Sequence, residues 1–482
     1  MDITVFVLII AASLALALGA KFGVRQVDIG QYLVGGRAFS GFLLFFLSVG
    51  EIYSIGAMIA FPGGIYAEGA SYGVWFLGYI LLAYPIGYFV GPLLWRAGKR
   101  YDAMTMPDVL RSHYRSRTLE ILASIAAIGY MIPWAQYQFA GLQVALAALG
   151  FHIGAAGTVV LSVAIALAYV LITGLRAPAM VSILKDLVMF AAIVVVGIVA
   201  AVSIGGVGKL FDGAVAGGAT VTMSGKPLVY ALSTILLQAP TFYLGVSGFT
   251  LVVAARSERT IKRTFIAQPL YMLMYPPLVL ASYYALAELK VSDPNLAFTA
   301  ATHAVGSPWL VGLAAGAAAL SGFLLLAVLS LGFGAIISRN IVPNMRQDRQ
   351  RRSVGVCIVA FLLVSALLAV TLQGLMLNIL TFAYVVAAQI VPAWLATLFS
   401  RRTTKTAICA GIIVGLVLGL GLQAFGLTEL AGINIGLIVL VVNAVVTFTV
   451  DPVRRMLGAA SDDEVRPIIR RRPTATSSSP RT

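Results

Sequence analysis

The chain reads as an all-α integral membrane protein with 13 transmembrane helices. Of its 482 residues, 60% are hydrophobic and only 11% are charged, with a mean hydropathy of +0.96. No soluble core has use for that much apolar sequence. Apolar stretches bounded by charges or by Gly and Pro clusters recur along the whole chain. All but three of the 33 Lys and Arg then fall in alternate connections, as the inside loops of a multi-pass protein require.

The expected spans are about 3–20, 40–67, 72–95, 119–149, 155–174, 182–204, 228–252, 265–287, 309–338, 354–372, 375–399, 406–426 and 431–450. The first follows Asp2 instead of a basic segment, and Leu18-Gly19-Ala20 is a weak cleavage cue, so it reads as a retained helix. With the amino terminus outside, only Lys209, Lys226 and Lys290 lie on the outer side. The carboxyl terminus is then expected on the cytoplasmic side. The net charge of +15 is thus a topology signal and not a nucleic-acid footprint. The partners expected are the lipid bilayer and a small-molecule substrate, with no obligate protein partner evident.

The Gly-rich segment 205–227 reads as an outside loop, without the strand–turn–helix setting of a phosphate-binding loop. From Asp451 the composition switches to Arg, Asp, Ser, Thr and Pro. Residues 451–482 read as a disordered basic tail able to touch anionic lipid through Arg470-Arg471-Arg472. Cys357 and Cys409 sit in separate apolar runs, which argues against a disulfide framework or metal centre. No nucleophile–base pair appears at one membrane depth, so an enzyme is not expected, and no cofactor.

The second span is organised around Gly50-Glu51-Ile52-Tyr53-Ser54-Ile55-Gly56. Glu51 lies ten residues past Gly41, about 15 Å at ~1.5 Å per residue, half the hydrocarbon core. A carboxylate there costs several kcal/mol unless protonated, paired or wetted, so it reads first as functional and second as a structural carboxyl bonded to backbone. The flanking glycines let the helix unwind, which is tolerable only beside a cavity. Five spans later, Gln238-Ala239-Pro240-Thr241-Phe242-Tyr243-Leu244-Gly245 predicts a second interruption, with Pro240 as its mechanism. Two interrupted helices in corresponding positions predict an inverted repeat of five helices and a binding site between them. The organisation is then residues 1–38, an N-terminal helix and inside loop; 39–204, the first repeat; 205–399, an outside loop and the second repeat; 400–450, two additional helices; and the tail.

Three motifs carry a resemblance. Tyr32-Leu33-Val34-Gly35-Gly36-Arg37, Met106-Pro107-Asp108-Val109-Leu110 with Arg111 and Tyr114, and Gly174-Leu175-Arg176-Ala177 followed by Lys185-Asp186 resemble the sodium/solute symporter family over roughly residues 30–450. The resemblance implies a LeuT-type fold: a 5+5 inverted repeat with one extra helix before and two after. Gly50-Glu51-Ile52-Tyr53, Tyr84-Pro85, Gln138 with Gly141, and Ser338-Arg339-Asn340-Ile341 are similar to its bacterial monocarboxylate transporter branch. That implies import of a short-chain acid across a bacterial-type inner (cytoplasmic) membrane by alternating access, coupled to H+ or Na+. A sodium symporter of an amino acid or other nutrient, and a transporter-fold sensor without net flux, stay open.

Family members that use sodium hold it between carbonyls of the first broken helix, here near Gly50 and Tyr53, and a hydroxyl pair on core helix eight. That pair maps onto Leu324-Leu325, which offer no oxygen; Ser321 and Ser330 are the nearest hydroxyls. Expected ion-coupling positions are therefore Glu51, Gly50, Tyr53 and Ser330, with no metal beyond possible Na+. The expected substrate positions are Tyr53, Ser54, Gly56, Gln138, Pro240, Thr241 and Tyr243. Tyr53 and Ser54 serve equally to satisfy unwound backbone, and Gln138, Gln389 and Asn378 serve equally as interhelical glue. Trp134, Phe242 and Tyr243 either wall a cavity or simply pack. Arg176 and Asp186 read as a structural ion pair or inner gate.

Overall fold

The computed structural model describes residues 1–20, 29–150, 154–342, 345–371 and 376–456. The junction at 372–375 and the tail beyond Met456, with Arg470-Arg471-Arg472, lie outside the described residues. The helices are α1 (Asp2–Gly19), α2 (Ile29–Val34), α3 (Gly41–Ile52), α4 (Phe61–Glu68), α5 (Ala70–Arg100), α6 (Met106–Tyr114) and α7 (Arg117–Ala147). They continue as α8 (Gly154–Thr173), α9 (Arg176–Ser203), α10 (Val207–Ala216), α11 (Lys226–Leu244), α12 (Val246–Ala254), α13 (Glu258–Ala267) and α14 (Tyr275–Tyr284). The last are α15 (Ala297–Val305), α16 (Pro308–Ile336), α17 (Gln347–Thr371), α18 (Met376–Ala387), α19 (Val391–Phe399), α20 (Lys405–Ala424) and α21 (Ile435–Met456). Among the described residues, strand pairing is limited to a small hairpin, Glu429–Leu430 against Ile433–Asn434, and a single parallel bridge between Phe39 and Ala255.

Among the described residues, 11 helical stretches are long and apolar enough to cross a membrane. The expected span 40–67 is divided between α3 and α4, and 155–174 falls on α8, whose apolar described part is Ala156–Tyr169. Large apolar side chains such as Leu8, Phe89, Leu187, Leu363 and Val417 point outward, as lipid-facing positions do. The connections that carry most of the arginines gather at one end of the bundle, here the basic end.

Local sequence sets the helix starts. Ser40, Ser116, Ser257 and Thr404 each accept a backbone N–H of the first turn of α3, α7, α13 and α20. Thr105 and Asp108 form a reciprocal capping box on α6. The Ala- and Gly-rich α16 is largely enclosed, packed by α1, α7, α9 and α17, because small residues allow close approach.

Two expectations are corrected at the periphery. Segment 205–227 is not all loop: Val207–Ala216 form α10, with Leu210 and Ala214 buried. The tail does not begin at Asp451, because α21 continues to Met456 and Asp451 is buried. Its carboxylate accepts the Thr404 N–H at 2.6 Å and hydroxyl at 2.7 Å, which fixes the start of α20. A carboxylate with that partner belongs to the fold.

Candidate functional site between two broken helices

Helix α3 ends at Tyr53, whose backbone (φ −101°, ψ 61°) leaves the helical region, and order resumes in a π turn over Gly56–Ala60 that runs into α4. The Ala57 N–H bonds the Ser54 carbonyl at 3.0 Å, so the Tyr53 carbonyl loses its ordinary helical donor. Ser54 accepts the Gly56 N–H at 3.2 Å, the backbone-satisfying role open to it from sequence. Gly56 packs directly on the Tyr137 hydroxyl, where a Cβ has no room. Gly50 and Glu51 lie in the last turn and a half of α3, and their side chains fall outside the described residues.

The second interruption is displaced from the position expected for its cause. Helix α11 runs through Pro240, with the Thr241 hydroxyl donating to the Leu237 carbonyl at 2.6 Å, and parts at Gly245 (φ −76°, ψ −179°). Neighbouring helices hold a proline kink together, and the chain opens instead at the glycine. The two interrupted helices are joined at the basic end: Phe39 N–H donates to the Ala254 carbonyl at 3.1 Å, and Arg256 N–H to Phe39 at 3.2 Å.

A wall of aromatic rings runs between the breaks. Trp134 stacks on Tyr137 at 5.5 Å and meets Tyr384 at 5.8 Å; Tyr384 meets Tyr79 at 5.7 Å, and Tyr79 meets Phe242 at 6.3 Å. These ring contacts seat Trp134 and Phe242 in the aromatic wall, Trp134 buried and Phe242 half-buried. Tyr243 turns aside: its hydroxyl donates to Gln268 at 2.9 Å, and Gln268 donates to Ser48 at 2.8 Å. Gln138 is fully buried, its amide N–H bonded to the Trp134 carbonyl at 3.3 Å. The Trp134 indole N–H and the Gln238 amide are buried without a hydrogen-bond partner among the described residues. One turn beyond Tyr384, Thr381 helps line a cavity of about 850 Å³ that opens at the end opposite the basic loops, with Glu68, Lys226, Tyr230, Asn378 and Glu429. Asn378 thus faces this cavity, while Gln389 is glue: Asn443 donates to its side chain at 2.9 Å.

The basic end is closed by a polar cluster. Arg339 and Asn340, in the π turn Ile337–Ile341 after α16, donate to Asp108 at 3.1 and 2.7 Å. Asn340 also donates to the fully buried Glu120 at 2.9 Å, and Arg117 pairs with Glu120 at 2.6 Å. The motifs around Asp108 and Asn340, far apart in sequence, are two halves of one contact. His113 stands beside it, 2.8 Å from the Tyr101 hydroxyl, and burial pushes its pKa down to about 4.

The pairing of Arg176 with Asp186 does not form. Arg176 is exposed, and ten helical residues place it about 15 Å from Asp186, beyond side-chain reach. Asp186 instead pairs with Lys185 at 2.5 Å and accepts the Tyr271 hydroxyl at 2.9 Å, both inside the bundle. Lys185, fully buried, donates to the freed Tyr53 carbonyl at 3.0 Å. Sequence reasoning missed this role. The Ser330 hydroxyl donates to Ala327 in its own helix at 3.0 Å.

Two interrupted helices joined at the basic end, a cavity open at the opposite end and a polar closure of the basic end mark a membrane transporter. The profile of the sodium:solute symporter family matches residues 32–415, and the chain belongs to that family. Its relatives include the "Uncharacterized symporter YhjB" of Bacillus subtilis (strain 168), 24% identical over 95% of this chain and 98% of that one. The "Monocarboxylate transport permease protein" of Rhizobium johnstonii is 30% identical over 65% of this chain and 64% of its own length. A solved Na+-coupled sialic acid symporter, in a substrate-bound outward-open state, superposes with a TM-score of 0.77 at 15% identity, covering 96% of this chain and 98% of that one. That likeness is one of LeuT-type fold. The family and these relatives are transporters rather than enzymes, and the protein is a secondary symporter.

Proposed function

We propose that the protein imports a short-chain monocarboxylate by alternating access, driven by an inward cation gradient. The observation that carries this reading is the pair of interrupted helices, with a cavity of about 850 Å³ open at one end of the bundle and a polar cluster closing the other. The amino-terminal end of α12, at the Gly245 break, offers a carboxylate unpaired N–H groups and the positive end of a helix dipole. The aromatic wall suits a small apolar body, with the Trp134 N–H and Gln238 amide left for its polar atoms. The Rhizobium permease, named for monocarboxylate transport, supports the solute class.

In this reading the chain has 13 spans in a 5+5 inverted repeat, with its amino terminus outside and its basic end in the cytoplasm. Glu51 is the coupling carboxylate, neutral or cation-paired while the anion is bound, since two adjacent buried carboxylates repel. Uptake of labelled lactate, pyruvate and alanine into proteoliposomes, with sodium and pH gradients imposed separately, tests it. Acid uptake stimulated by an inward proton gradient, with pH dependence abolished by Glu51→Gln, is the expected result. Uptake of alanine alone overturns the monocarboxylate assignment. No uptake by folded protein overturns the transport reading in favour of a sensor.

A further inference from the structure

The Tyr53 carbonyl is one of the two that the family resemblance assigns to sodium, and the residues around it do not fit that ion. Its lone pair receives the Lys185 ammonium at 3.0 Å, from a side chain with no exposed surface. A sodium ion bound to the same oxygen would compete for the same space and lie against a second positive charge. Across the bundle, the positions of the hydroxyl pair are Leu324 and Leu325, both buried. The nearest hydroxyls are engaged elsewhere: Ser321 donates to Ala317 at 2.8 Å and lies 3.4 Å from the Met189 sulfur of α9, and Ser330 donates to Ala327 at 3.0 Å. A hard cation would find a shared carbonyl, a carboxylate already taken by the ammonium, and hydrocarbon where the hydroxyl pair should stand.

The ammonium, by contrast, is fully provided for. Asp186 balances its charge, and the Tyr271 hydroxyl holds the other carboxylate oxygen. A buried charge persists when it is paired and hydrogen-bonded, and both conditions are met. The pair sits on α9 and reaches the broken helix from the side, so it ties the interruption at Tyr53 to an unbroken neighbour.

We propose that the Lys185 ammonium is a built-in cation that replaces sodium at the first helix break, so that this symporter neither binds nor requires sodium there. The inference deepens the proposed cation coupling by excluding one ion from one site. It rests on that reading only for its consequence in transport.

The test is equilibrium binding of radioactive sodium to the purified full-length protein. It is accompanied by thermal unfolding in sodium chloride and in choline chloride. The expected result is no saturable sodium binding and the same Tm in both salts. In Lys185→Ala the Tm falls, and propylammonium restores it saturably where choline does not, because the small amine refills the vacated ammonium position. Saturable sodium binding by the wild-type protein overturns the proposal, and that measurement needs no variant to fold. An unchanged Tm in Lys185→Ala overturns it as well. Neither readout involves the transported solute, so a wrong solute assignment leaves the result intact.

Discussion

Replacing Asn340 by alanine removes the residue that joins the two halves of the basic-end closure. Its amide donates to Asp108 at 2.7 Å and to Glu120 at 2.9 Å, and its carbonyl accepts the Thr105 hydroxyl at 2.7 Å. Bonds to charged groups contribute roughly 1.5–3 kcal/mol each and a neutral one roughly 0.5–1.5 kcal/mol. The carboxylates are not orphaned, since Arg339 stays on Asp108 and Arg117 on Glu120. The loss therefore sits near the lower end, about 3.5 kcal/mol. If the contact exists only while the basic end is closed, that loss falls on the closed form alone and shifts the closed–open ratio by roughly 400-fold. The assay is maleimide labelling of a single cysteine at Ser338, in a background lacking Cys357 and Cys409, with protein reconstituted so that the basic end faces the reagent. Asn340→Ala should raise the labelling rate many-fold. A lowered Tm with unchanged labelling would refute the reasoning, because the contact would then persist in both forms.

Other residues give independent checks. His113 stays neutral in the folded protein down to about pH 4, whereas the unfolded chain takes up a proton near its ordinary 6.5. The unfolded state binds more protons in that window, so stability falls as pH drops from 6.5 to 4, by at most about 3 kcal/mol. His113→Asn should flatten this part of a Tm–pH profile relative to wild type. Gly56→Ala drives a methyl into the Tyr137 hydroxyl; overpacking of roughly 1–3 kcal/mol and a strong loss of solute uptake are expected, read by Tm and transport assays. Asp451→Ala removes both bonds that cap α20. A Tm loss corresponding to about 2 kcal/mol, with KM unchanged, is the expected signature of a purely structural carboxylate.

Much of this architecture was legible because membranes leave few options. Charge asymmetry marked the basic end, and polar residues at mid-span marked the first interruption, where Tyr53 indeed ends α3. Sequence placed the second interruption within 238–245 but named proline as its cause, because proline is the stronger local signal; α11 runs through Pro240 and the chain opens at Gly245. Lys185 was hidden for a different reason. Counted among basic residues it looks like a loop charge, but α9 begins at Arg176, and nine residues of helix carry Lys185 about 14 Å into the bundle. The positive-φ Gly174 just before that start was the available clue. Contacts between distant segments, such as Asp108 with Asn340, leave no local periodicity to read.

The paired bonds between Phe39 and the Ala254–Arg256 strand have a mechanical meaning. They clasp the entry of one interrupted helix to the exit of the other through main-chain atoms alone. Side-chain replacement at Phe39 or Ala255 leaves the clasp closed, and only proline at position 39 or 256 deletes one of its donors. The two interrupted helices are thus yoked as a single lever whose side chains can diversify without unfastening it.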